Sequence, residues 1–305
     1  MALLGASIWF AVSQQESASW PALAELNPAL VVALMLAIFL SSIFLPGLQF
    51  WVVTRPFVTT RRLDFFTMQG LIAGSALLNY TPVKAGLIGR VAYLRHFHGV
   101  GLRAAVVTHA LIVAVFIMSC GIALLIMAWR PESGVMSGVV IVVAFVVLTV
   151  IGAPLLGVLI PAKVAVDSRM RTSRTWRIGF LALCFGTQVL SLAVTAVRWW
   201  LVFLIMGKPT SLADSWLAAL VHVVTVMGGP ANGLGFREWL IGFAAQRGFF
   251  SAEAQLNLST GMAVSLVDRA AEAIILIVAG LFGLALVRRG LRAEKGSPGM
   301  GVVPD

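Results

Sequence analysis

Apolar residues run along this chain in long blocks, separated by short clusters of arginine, glycine and proline. The blocks 27–54, 104–129, 138–160, 178–206 and 261–287 each reach the roughly 20 residues that an α-helix needs to cross the hydrocarbon core of a bilayer. Two weaker blocks, 65–78 and 211–227, are shorter. Alternating ten-residue segments, the signature of a transmembrane β-barrel, are absent. The pattern predicts an all-α, polytopic transmembrane helical bundle. Residues 1–12 are apolar without a preceding Lys or Arg. A signal peptide begins with a positive region, so a clipped transmembrane helix is the preferred reading there.

The polar interruptions fix a topology. Basic clusters at Arg55–Arg62, Arg95–Arg103, Lys163–Arg177 and Arg288–Lys295 belong on the cytoplasmic side by the positive-inside rule, which puts the C-terminus there. The 65–90 stretch then starts and ends inside, and the 211–260 stretch starts and ends outside. Each has too little apolar length for two comfortable crossings, so each is expected to dip into the bilayer and return. Broken backbone at that depth is tolerated where protein buries it or a wet cavity meets it. The two stretches carry "NYTPVKAGLIGR" and "GGPANGLGFREW".

These interruptions repeat. "QFWVV" precedes "TPVKAGLIGR" in the first half, and "RWWLV" precedes "GPANGLGFR" in the second. Trp51 aligns with Trp200, Pro82 with Pro230 and Arg90 with Arg237, at nearly constant separation. The halves, about 27–129 and 178–287, start on opposite sides. This is the pattern of an inverted repeat, as in many secondary transporters. One transmembrane domain over 1–290 and a disordered basic tail over 291–305 follow.

Composition narrows the class. Hydrophobic residues make up 60% and charged residues 11% of the chain, against about 25% charged in an ordinary globular domain. The net charge of +10 would suggest nucleic acid in a soluble protein, but here the cations flank apolar blocks, so no nucleic-acid partner is expected. Cys120 and Cys184 fall inside apolar blocks and suggest neither disulfide nor metal site. No catalytic triad, zinc-protease or CxxC motif occurs, and "GGPANGLG" lacks the Lys-Ser/Thr of a phosphate loop. Neither an enzymatic activity nor a cofactor is expected.

Charges inside membrane spans cost about 2.5–3.5 kcal/mol or more each and mark cavities or partners. Lys84, Arg90, Arg198, Arg237, Glu238, Asp268, Arg269 and Glu272 are therefore the candidate substrate-binding residues. Asp268 and Glu272 share a helix face, and a cluster with Arg237 and Glu238 is expected, either functional or purely a structural ion pairing. Lys84, Arg90 and Arg237 flank helix starts whose free N–H groups suit an anion such as phosphate. Arg90 alternatively snorkels at an interface, and Arg198 alternatively joins an aromatic belt with Trp199 and Trp200. Asn79, Pro82, Gly86, Pro230, Gly233 and Gly235 are the candidate hairpin backbone positions. Asn79, Tyr80 and Asn232 are candidates to satisfy freed backbone groups. His109 and His222 read as hydrogen-bonded interior histidines.

These motifs resemble the flippase-like transmembrane domain of lysylphosphatidylglycerol synthases and its stand-alone relatives. The first family block reads roughly N-x-x-P-x-[RK]-x-G-E-x-x-R, and Asn79, Pro82, Lys84, Gly86 and Arg90 match it. Leu87 stands at its glutamate position, which removes any carboxylate role there. The second block, P-x-G-x-G-x-R-E, is matched by Gly233, Gly235, Arg237 and Glu238 after a small insertion. Arg269 matches the arginine of the family's last helix. The resemblance covers nearly the whole chain and implies lipid flipping, without the synthases' soluble aminoacyl-transferase domain. The expected function is movement of an anionic phospholipid or polyprenyl-phosphate-linked lipid across the bacterial inner membrane. A secondary transporter of a small anionic solute and a non-transporting partner in an envelope lipid biosynthesis complex are the alternatives. Membrane lipids are the expected partners, with envelope biosynthesis enzymes and a second copy of the chain as further candidates.

Overall fold

The structure, a computed structural model, describes Trp9 and residues 27–60, 62–81, 85–129, 173–208, 210–228, 233–250 and 256–295. Every regular element among the described residues is helical. In chain order they are α1 (Pro28–Phe39), a π-helical turn (Leu40–Phe44), α2 (Leu45–Thr54) with a 3₁₀ turn (Arg55–Phe57), α3 (Phe65–Leu78), α4 (Ala85–His98), α5 (Leu102–Trp129), α6 (Arg174–Ile205), α7 (Leu212–Gly228), α8 (Phe236–Gln246) and α9 (Leu258–Lys295). The expected 138–160 span lies outside the described residues. So do Lys84, Pro82, Pro230 and Asn232, and with Pro82 and Pro230 goes one of the three pairs that aligned the repeat. Helix α9 continues through residues 291–295, where the sequence suggested the start of a disordered tail.

Among the described residues, four helical stretches are long and apolar enough to cross a membrane: Pro28–Phe57, Leu102–Gly121, Thr175–Ile205 and Leu258–Arg289. Local chemistry sets their ends. Asn27 accepts from the Ala29 N–H at 2.9 Å, and Pro28 follows at a position where a missing N–H costs nothing. Asp64 caps α3 through the Thr67 N–H at 3.0 Å. Asn257 caps α9 through the Thr260 N–H at 2.8 Å.

The first apolar block is not one regular helix. Pro46 has no N–H to give the carbonyl four residues back, Ser42, so the α pattern cannot run through it. The chain instead widens into a π turn, with the Leu45 N–H bonding the Leu40 carbonyl. Gln69 of α3 donates to the Phe44 carbonyl at 3.0 Å. Gly47 permits this, because a side chain there would collide with Gln69.

Helix α9 organises the packing, meeting α3 along one stretch and α8 along another. Both seams are lined by glycine. At Gly283 an added Cβ would strike the Gly70 carbonyl, and at Gly261 it would sit 3.0 Å from the Gly242 Cα. Between membrane helices, which gain nothing from expelling lipid, close backbone approach of this kind supplies the van der Waals contact. Helix α6 contributes to two apolar cores. Phe180, Leu181, Cys184 and Phe185 pack with α2–α5, while Leu192, Trp199, Val202 and Phe203 pack with α1, α7, α8 and α9.

Two pairs of short helices, α3 with α4 and α7 with α8, pack as helical hairpins. In each, a glycine nearly touches a carbonyl of the preceding helix. A Cβ on Gly86 would collide with the Ser75 carbonyl, and one on Gly233, whose φ is +72°, would lie 2.8 Å from the Thr225 carbonyl. The chain can therefore turn back tightly at both places.

Candidate functional site: a buried charge network

The two longest described helices carry charge inside their apolar stretches. Asp268, Arg269 and Glu272 lie 10–14 residues into α9, roughly 15–21 Å from its start. Arg198 lies seven residues before the end of α6. Arg237 and Glu238 open α8. All six side chains are buried, and Arg198, Arg237, Glu238 and Asp268 are fully excluded from solvent.

The fold brings these six together. Arg198 donates from Nε and Nη2 to the two carboxylate oxygens of Asp268, both at 2.6 Å. Its Nη2 also lies 3.3 Å from Glu272 Oε2. Arg237 Nη1 sits 3.0 Å from Asp268 Oδ2 and 3.3 Å from Glu272 Oε2. Its Nη2 donates to the Ser265 carbonyl at 3.1 Å. Arg269 Nε donates to Glu238 Oε1 at 3.2 Å, and its Nη1 lies 3.4 Å from Glu272 Oε2. Three guanidinium groups thus meet three carboxylates, and the formal charges, +3 and −3, cancel. A buried charge is tolerable when paired and hydrogen-bonded in this way.

Polar side chains from further elements complete the shell. Ser42, on the π turn, accepts from Arg198 Nη1 at 3.1 Å and donates to Glu272 Oε1 at 3.3 Å. Tyr80, in the α3–α4 turn, accepts from Arg269 Nη1 at 3.2 Å. His222 of α7 accepts at Nδ1 from Arg237 Nη1 at 2.6 Å. The network therefore ties the π turn, the α3–α4 turn, α6, α7, α8 and α9 to one point. Ser42 was not legible as a site residue. The available signal was a serine pair four residues before a proline in an apolar block. Tyr80 was expected to serve the backbone, and His222 to be an interior histidine.

The expected cluster of Arg237, Glu238, Asp268, Arg269 and Glu272 forms. Arg198 joins it rather than an aromatic belt: it is fully buried, while the neighbouring Trp200 is 39% exposed. Arg90 does not join. It is 8% exposed, and its guanidinium lies over the Phe50 ring, 3.8 Å from the centroid. The anion-binding partnership of Arg90 with Arg237 suggested by the repeat is therefore not drawn together here, and Arg237 finds its counter-charges inside the protein.

The hairpin residues do backbone work. Asn79 Oδ1 accepts from the Leu87 N–H at 3.1 Å and Thr81 Oγ1 from the Ala85 N–H at 3.3 Å, which satisfies two free donors at the start of α4. Gly235, at φ +80°, immediately precedes α8 and turns Arg237 and Glu238 inward. No group of His, Cys, Asp and Glu among the described residues is arranged to hold a metal ion. No family model, curated protein or solved structure matches this chain.

Proposed function

We propose that this chain is a multi-pass protein of the bacterial inner membrane that moves an anionic phospholipid or a polyprenyl-phosphate-linked lipid across the bilayer. The observation that carries this reading is the neutral six-member charge network buried among helices long and apolar enough to span a membrane. Ionisable groups at that depth are expensive and accompany translocation paths. Helices α3, α4, α7 and α8 have 14, 14, 17 and 11 residues, which makes each about 17–26 Å long. That is short of the ~30 Å hydrocarbon core. They read as two re-entrant hairpins, one from each face, whose turns meet the network through Tyr80 and Arg237.

In this reading the network is a gate rather than the headgroup site. Its charges already balance, so an incoming phosphate would have to displace a carboxylate to engage it. Parting the Arg237 contacts to α9 and the Arg269 contact to Glu238 would free α8 and open a polar seam along which a headgroup could pass while its tails remain in lipid.

The test is reconstitution into liposomes with a fluorescent phosphatidylglycerol, following its transfer between leaflets. The wild-type protein should accelerate transfer, and a variant with both Arg198→Met and Asp268→Leu should fall toward the protein-free rate. Equal transfer by wild type and protein-free liposomes would sink the reading. Uptake of a soluble anion without lipid transfer would assign the fold to solute transport instead.

A further inference from the structure

The basic residue that the network leaves out occupies a crevice of its own. Phe50 and Thr54 of α2, Leu87 and Arg90 of α4, and Thr108 and His109 of α5 line it, and no network residue does. Arg90 is more than nine-tenths buried. Among the described residues its only contact of a polar kind is the face of Phe50. Five carboxylates are engaged elsewhere: Asp64 on the Thr67 N–H, Asp214 on the Ser211 N–H, and Glu238, Asp268 and Glu272 in the network. A desolvated guanidinium with no counter-charge is costly, and an aromatic face offsets only about 2 kcal/mol of it.

A second group points the same way. Thr54 is 1% exposed, and its hydroxyl has no hydrogen-bond partner. The Thr108 hydroxyl is already spent on the Ala104 carbonyl at 2.8 Å. Arg90 and Thr54, neither with a hydrogen-bond partner among the described residues, both line this largely apolar crevice. Its volume is about 20 Å³, close to the space one water oxygen occupies. It fits one anionic oxygen, not a whole headgroup. The same two helices, α4 and α5, expose Ile88, Leu102 and Val106 beside Arg95 and Arg103. That mixture suits the boundary between acyl chains and phosphates.

We propose that Arg90 and Thr54 form an oxyanion site, separate from the charge network, that takes a phosphate oxygen. The site stands without the transport reading. Only the assignment of that oxygen to a membrane lipid, rather than to free phosphate, rests on it.

The test measures binding, not transport. Delipidated protein in neutral detergent is titrated with inorganic phosphate in one arm. In the other it is placed in nanodiscs of phosphatidylcholine with increasing phosphatidylglycerol, and bound lipid is counted by native mass spectrometry. Arg90→Gln should weaken anion binding by about tenfold or more, and Thr54→Val by roughly threefold or more, as expected for hydrogen bonds to a charged group. Arg247→Gln, exposed at the far end of α8, should change neither. Arg90-dependent binding of phosphatidylglycerol makes a lipid the source. Arg90-dependent binding of phosphate alone makes it a soluble anion. Binding in both arms that is the same in wild type and Arg90→Gln overturns the site. Should Arg90→Gln fail to fold, unchanged binding by Thr54→Val overturns it equally.

Discussion

Arg198 of α6 and Asp268 of α9 meet through two parallel hydrogen bonds of 2.6 Å, with neither side chain reaching solvent. This two-pronged geometry is the strongest form of an arginine–carboxylate contact. It also makes each partner dependent on the other. Asp268→Asn leaves three guanidinium groups facing two carboxylates. The expected cost is about 3–5 kcal/mol, the usual consequence of stranding a buried charge. The double variant Arg198→Met plus Asp268→Leu restores balance at two against two, with Arg237 and Glu272 still 3.3 Å apart. It should recover most of that loss. Thermal unfolding of Arg198→Met, Asp268→Leu and the double variant gives the coupling energy. Additive losses would show that the pair does not act as a unit.

The tautomer of His222 follows from its neighbour. Arginine has only donors, and Arg237 Nη1 points at His222 Nδ1 from 2.6 Å. Nδ1 must therefore offer its lone pair, and the ring proton resides on Nε2. A proton added at Nδ1 would face that donor and raise the cluster to four positive charges against three negative. Nitrogen NMR of histidine-labelled protein should show a neutral ring protonated at Nε2. His222→Asn keeps an acceptor near the Nδ1 position and should be tolerated better than His222→Leu, which should cost about 1–3 kcal/mol. An Nδ1-protonated spectrum would overturn the assignment.

Two glycines in similar helices should respond oppositely to alanine. Gly283 lies against the Gly70 backbone, and a methyl there would force α3 and α9 apart. Gly186 of α6 is exposed and has nothing within 4 Å of its missing Cβ. Gly283→Ala should lower the unfolding midpoint. Gly186→Ala should leave it unchanged or raise it, by up to about 1 kcal/mol of helix propensity. If both variants behave alike, close backbone packing is not what holds α9 to α3.

Block length and hydropathy revealed the helices, because a span must be long and apolar whatever its neighbours are. The same logic picked out Arg198, Asp268 and Glu272, since charges inside such blocks need partners. The pairing itself was less legible. Arg198 and Asp268 are 70 residues apart, and only the packing of α6 beside α9 joins them. The π turn was missed because Pro46 signals a broken helix without saying which carbonyl is released, and Ser42 reaches the network through that turn. Arg90 shows the limit from the other side. Its alignment with Arg237 suggested a shared role, but α4 carries it to Phe50 and α8 carries Arg237 to Asp268.

Asn79 joins the two halves of the first hairpin. It ends α3 with its own N–H on the Ser75 carbonyl at 2.9 Å, and its side chain accepts from the Leu87 N–H of α4. Gly86 is held against that same Ser75 carbonyl. The turn then delivers Tyr80 to Arg269. Asn79→Ala removes the acceptor and leaves a free N–H at the start of α4, at a cost of about 1 kcal/mol for a lost cap. Asn79→Asp keeps the acceptor and adds a negative charge at the helix start, so it should be tolerated. Hydrogen exchange separates the two: the Leu87 amide should exchange faster in Asn79→Ala and stay protected in Asn79→Asp. Equal protection in both would mean that α4 is held by its packing on α3 alone, with no contribution from this cap.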